Sequence, residues 1–178
     1  MKKFFYMSVM VLMASLALTS CGSDDDKNKD EPQPQGGIKT VVYDASVTFS
    51  QEMIDICDVT IFYKDGDGKT ATETVKSATW NKKVTVKNLP AVVGVKFDFK
   101  LKDGIELTKE KYDLMANLQH YVTIDGVKKG TDQPFTNVGQ GTRAEKVADI
   151  LSRWSERMVY GYAISANGEV TTTENITF

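Results

Sequence analysis

The segment from Val95 to Lys102 sets the tightest limit on the fold. Val95, Phe97, Phe99 and Leu101 alternate with Lys96, Asp98, Lys100 and Lys102, so one side is wholly apolar and the other wholly charged. An extended strand separates two such sets, because its side chains point to opposite faces in turn, whereas a helix would scatter both around its axis. The same period of two runs through Val41, Tyr43, Ala45, Val47 and Phe49, and through Val59, Ile61 and Tyr63. Val84 and Val86 alternate with Lys83, Thr85 and Lys87. Leu118 to Asp125 reads as a further strand, and the polar stretch Thr70 to Lys76 as an edge strand.

Between these segments stand turn sequences: Asp65-Gly66-Asp67-Gly68, Asp103-Gly104 and Asn167-Gly168. Asn-Gly is the residue pair that a two-residue hairpin demands, since both positions need positive φ. It predicts that Val159–Ser165 pairs with Val170–Phe178, with Ile164 opposite Thr171 and Val159 opposite Ile176. Residues 105–117 fit either a short helix or an irregular crossing. Gly126 to Gly141 reads as a long loop, with Pro134-Phe135 in its middle. One helix is expected near the C-terminus. Thr142 and Glu145 have the spacing of a capping box. Ala144, Val147, Ala148, Ile150, Leu151, Trp154 and Met158 then form one apolar stripe. Seven or eight short strands with turns at this spacing predict a mainly β chain. The expected fold is an antiparallel β-sandwich, immunoglobulin-like or similar, with one amphipathic helix.

The chain opens Met1-Lys2-Lys3, continues apolar from Phe4 to Leu18, and ends this region with Leu18-Thr19-Ser20-Cys21-Gly22. The apolar run is too short for a spanning helix of roughly 20 residues. This order resembles a bacterial lipoprotein signal and its lipobox. The resemblance implies a signal peptide over residues 1–20 and a lipid on Cys21 that anchors the chain to a membrane. Asp24, Asp25, Asp26, Asp30 and Glu31 follow closely. An acidic stretch there resembles the surface lipoproteins of Bacteroides and its relatives, which implies the outer membrane, facing the exterior. Residues 21–37, ending Pro32-Gln33-Pro34-Gln35-Gly36-Gly37, read as a tether. It has no large apolar side chain to offset the entropy of ordering, and it would reach roughly 50–55 Å at full extension. Residues 38–178 are then one domain.

Without residues 1–20 the chain keeps 20 basic and 24 acidic side chains, a net charge of −4. That balance disfavours nucleic acid, which is held by a basic surplus against phosphates. With Cys21 acylated, Cys57 is the last thiol, and no disulfide is expected within the chain; Cys57 is expected to be a small buried hydrophobe.

Chemistry-bearing motifs are scarce. His120 is the sole histidine, and with Cys57 it cannot supply the three or four ligands of a zinc centre. A Cys57–His120 dyad has suitable residue types for nucleophilic catalysis but no surrounding signature. Asp58, Asp65 and Asp67 hint at calcium. A loop counted from Asp65 lacks the required Gly and the final Glu, so a hairpin turn is the better reading. No catalytic residue, metal or cofactor is therefore expected. The candidate ligand-binding residues are aromatic: Trp80, Trp154, Tyr160 and Tyr162, with Phe135, any of which can stack on a sugar ring if exposed together. Two functions fit these observations. One is a non-catalytic surface module for a glycan, a host protein or an outer-membrane partner. The other is an accessory or structural subunit of an envelope assembly, such as a pilus or uptake complex, whose edge strand another chain completes.

Overall fold

The computed structural model describes residues 37–130 and 135–178. The signal segment, Cys21 and the tether up to Gly36 lie outside the described residues, as does Pro134. Two antiparallel sheets face one another without closing into a barrel. The first holds β4 (Thr79–Val86), β1 (Val41–Phe49) and β6 (Lys111–Ile124) in that order. Beyond β6 come β7 (Val127–Lys129) and β8 (Phe135–Arg143), each on part of its length. The second sheet runs β10 (Val170–Thr173), β9 (Val159–Ile164), β5 (Ala91–Leu101), β2 (Cys57–Lys64), β3 (Thr70–Thr74). Two helices complete the fold, α1 (Gln51–Ile56) and α2 (Val147–Arg157), the latter preceded by a 3-10 turn over Ala144–Lys146. The mainly β sandwich with a C-terminal helix agrees with the alternation in the sequence.

The predicted apolar faces are the core. Tyr43, Val47, Ile61, Val95, Phe97, Leu114 and Leu118 have no measurable exposure. Phe97 and Phe99 stack with ring centroids 6.0 Å apart, and Phe49 sits edge-on to both. Cys57 is buried and unpaired.

Several local expectations are corrected. Residues 108–115 form no helix: from Lys111 the chain is one 14-residue strand whose alternate residues Tyr112, Leu114, Ala116 and Leu118 turn inward. The expected loop from Gly126 to Gly141 instead contains β7 and most of β8. The two-residue hairpin turn is Asp125-Gly126, both at positive φ (50° and 80°). Its carboxylate also accepts the Lys39 and Thr40 N–H groups. At Asn167-Gly168 only the glycine has positive φ. Ser165 closes on Gly168 and Glu169 as a three-residue loop. That loop shifts the register by one, so Ile164 meets Val170. The strand then ends at Thr173, because the tail folds over the sheet. Ile176 lies against the cross-strand pair Gly94–Gly161, where a Cβ on either glycine would stand 2.5 Å from its Cδ1. No capping box forms either, since the Thr142 hydroxyl donates to the Gly139 carbonyl instead. The short α1, which the sequence reading lacked, is capped by Ser50, whose Oγ accepts from Met53 N–H.

Helix α2 lies along one long side of the sandwich. β9 pairs with β5 only over Ala91–Lys96. From there α2 takes its place: Ser155 Oγ accepts from the Phe99 N–H at 2.8 Å, and the Phe97 N–H donates to the Met158 carbonyl. The helix therefore stoppers half of that side, and among the described residues the other half is open.

Candidate functional site

The open half is a cleft of about 630 Å³, and His120 forms part of its floor. Its position follows from strand pairing. β8 covers β6 as far as Leu118, and β7 begins to cover it at Val122. Gln119, His120 and Tyr121 fall in the gap between them. By the alternation of β6, His120 points inward, in line with Leu118 and Val122, and is 7% exposed.

Aromatic rings from both sheets converge on it. Tyr162 of β9 lies with its ring centroid 4.9 Å from that of His120, and its hydroxyl donates to the His120 carbonyl at 3.1 Å. Tyr43 Oη is at hydrogen-bond distance, 3.3 Å, from His120 Nδ1. Burial pushes the Tyr43 hydroxyl well above its ordinary pKa, reinforced by Tyr162 and Asp44. The phenol is thus held neutral beneath the cleft. Nearer the mouth, Tyr160 is half-buried and Phe135 is exposed, their ring centroids 4.3 Å apart at 39°. Burial pushes the Tyr160 hydroxyl up to about 12, with Glu174 acting in the same direction. Thr172, Thr173, Glu174 and Asn175 form the rim. The cleft thus presents an apolar ring platform beside hydroxyl, carboxylate and amide groups. That pairing suits a ligand with one apolar face and many hydroxyls.

The aromatic candidates divide. Tyr160, Tyr162 and Phe135 come together here. Trp80 does not: it is 8% exposed, on the far side of the sandwich, with its indole N–H donating to Glu73 at 2.8 Å. Trp154 is half-buried on α2, edge-on to Phe99 at 6.1 Å. His120, read from the sequence only as a catalytic or metal candidate, belongs to the cleft. Its even spacing from Leu118 and Val122 carried that signal.

A Cys57–His120 dyad does not form. Among the described residues, the rings beside the histidine are Tyr43, Tyr160 and Tyr162. Cys57 pairs with Leu101 at the end of β5 remote from β9, and desolvation pushes its thiol up to about 12, which disfavours the thiolate. Asp65 makes a turn, its carboxylate accepting the Asp67 and Lys69 N–H groups. Among the described residues, no three His, Cys, Asp or Glu side chains gather as metal ligands. No known protein family and no curated protein matches the sequence.

Proposed function

We propose that this protein is a lipid-anchored surface module that binds carbohydrate in the Phe135–Tyr160 cleft without transforming it. The observation that carries the reading is the pair of rings at the cleft mouth, Phe135 exposed and Tyr160 half-buried, set among Thr172, Thr173, Glu174 and Asn175. A sugar ring has an apolar C–H face that packs on an aromatic face, and edge hydroxyls that need planar acceptors and donors nearby. Binding without turnover is supported by the lining. Glycoside hydrolysis commonly uses two carboxylates across the scissile bond, and among the described residues Glu174 is the one carboxylate that lines this cleft. The anchor rests on Leu18-Thr19-Ser20-Cys21 and the acidic residues after it. A multiply acylated Cys21 would hold the protein stably, as a single chain would not. The surface of the outer membrane is the address this implies, and it is where glycans are met.

The test is a glycan array probed with residues 37–178 and with the Phe135→Ala variant. The proposal expects a defined set of glycans whose signal falls at least ten-fold in the variant. No bound glycan, or binding indifferent to Phe135, would overturn the carbohydrate reading. For the anchor, Cys21→Ala in the full chain should abolish acylation and release the protein from membranes. Retention of that variant would refute the anchoring.

A further inference from the structure

The four shorter or charged edges of the two sheets are guarded, and the fifth is not. β3 is five residues long and turns Glu73 inward; β4 carries Lys82 and Lys83; β7 is three residues with Lys128 and Lys129; β10 is four residues and runs into Glu174. Such charges and short lengths are how proteins keep free strand edges from pairing with other chains. β8 has nine residues, and from Phe135 to Thr142 it contains no charge and no proline. Val138, at its middle, is 59% exposed.

Opposite Val138 stands Met115. The Met115 N–H donates to Ser50 Oγ, and its carbonyl accepts from the Ser50 N–H, so both groups point away from β8. In an antiparallel ladder, facing residues both turn toward or both turn away. The N–H and carbonyl of Val138, and by alternation those of Thr136, therefore point outward from the sheet, where no described strand meets them. Beneath this edge a groove of about 220 Å³ is lined by Ile150 and Trp154, with Arg153 and Arg157 of the same helix beside them.

We infer that β8 pairs antiparallel with β8 of a second copy of this chain, centred on Val138. The sequence suits itself in that register. Val138 meets Val138 and the two exchange a pair of backbone hydrogen bonds; Thr136 meets Gln140 of the other copy; no like charges are opposed. β4 or β7 paired with itself would bring lysines together. The pairing buries both Val138 side chains and extends a roof over the Ile150–Trp154 groove. It also sets the two Phe135 residues about 20 Å apart along the strands, so a dimer would present two clefts to one multivalent ligand or surface.

Sedimentation equilibrium and oxidative crosslinking of residues 37–178 test this. Among the described residues, all the buried core side chains fall between Val41 and Ile164, inside that piece. The expected result is a concentration-dependent dimer. Val138→Lys should weaken it at least ten-fold with unchanged circular dichroism and melting temperature, while Val127→Lys, on the guarded edge, should leave it intact. Val138→Cys should form a disulfide-linked dimer under mild oxidation, and Val127→Cys should not. A monomer at every concentration, a dimer indifferent to Val138→Lys, or crosslinking through position 127 rather than 138 would overturn the inference. So would a β8 edge that pairs only with a different protein.

Discussion

The two long sides of the sandwich contrast in how they treat aromatic residues. Where β3 faces β4, Trp80 and Tyr63 meet at 6.1 Å, and Glu73 collects their polar atoms. The indole N–H donates to one carboxylate oxygen; the Tyr63 hydroxyl and the Lys82 ammonium donate to the other. Lys82 also lies 4.4 Å above the Tyr63 ring. Glu73 and Lys82 are the inward-facing charges of two edge strands, one from each sheet, so their union closes that side. On the opposite side the inward position of β6 is His120, and the rings around it leave a cleft rather than a seal. The first side spends its aromatic surface on stability. The second keeps part of it accessible, which is the condition for recognition.

Truncation should separate the two sides most sharply. Trp80→Ala removes a buried ring and leaves Glu73 short of a donor, so a loss of about 3–5 kcal/mol is expected, read from the shift in urea midpoint. Tyr160→Ala, on the half-open side, should cost less than half of that. If the two losses were equal, the contrast between sealed and open sides would fail.

Gly161 probes how the cleft wall is held. Its Cβ would stand 2.1 Å from the Val93 carbonyl oxygen and 2.5 Å from Ile176 Cδ1. Backbone cannot retreat cheaply, so Gly161→Ala should cost about 1–3 kcal/mol by overpacking. It should also loosen the tail that carries Glu174 and Asn175. Hydrogen exchange at Thr173–Ile176 would report this; tail protection unchanged in the variant would show that Ile176 does not hold the rim.

The sealed side also predicts a pH response. The Lys82 hydrogen bond, aided by Trp80, holds Glu73 below its ordinary value of 4.5. A carboxylate with a depressed folded pKa contributes stability that is present above its unfolded value and lost as pH falls through the folded one. The Glu73 bond holds Lys82 above its ordinary 10.5, so that contribution is complete below 10.5 and lost as pH rises through the raised value. Glu73→Gln should therefore cost about 1 kcal/mol at pH 7, allowing for solvent screening. The cost should shrink in acid, below pH 4. A penalty constant from pH 7 to 3 would remove the ion pair from the account.

Much of this architecture was legible because burial alternates wherever two faces differ. β1, β2 and β5 announce themselves through apolar residues two apart, and α2 through its apolar stripe. β8 did not, because Phe-Thr-Asn-Val-Gly-Gln-Gly-Thr has two large apolar residues and three that favour turns. It is a strand because β6 supplies a partner for its backbone, a tertiary effect that local pattern does not contain. The same limit hid the cleft. Tyr160 and Tyr162 could be picked as aromatic candidates from the chain, but the gap beside them, which leaves Tyr160 half-buried and Tyr162 beneath it, depends on where β8 stops pairing and β7 starts. Trp80 and Trp154 drew notice for the same reason as the tyrosines, and only packing separates them. The Asp-Gly and Asn-Gly turns make the point at smaller scale. Asn167-Gly168 marked a turn, but the register of the flanking strands makes it part of a three-residue loop, while Asp125-Gly126, which read as a strand end and the start of a loop, is the two-residue turn.

Phe135 gives the smallest effect on stability and the most discriminating one. At 38% exposure, it contributes to the fold chiefly through its ring contact with Tyr160. Phe135→Ala should therefore lower stability by only about 0.5 kcal/mol, the low end for an aromatic pair. Ligand binding should nevertheless fall at least ten-fold, because the removed ring is the outermost part of the platform. Phe135→Tyr keeps the ring and should retain binding. Trp80→Phe, on the sealed side, should show the opposite pattern, with stability reduced and binding intact in the fraction that remains folded. Measured together by urea denaturation and titration with an array-selected glycan, the pair decides whether the two sides differ in purpose or only in degree. Stability and binding falling in parallel in both variants would mean that the cleft is simply an incompletely closed core.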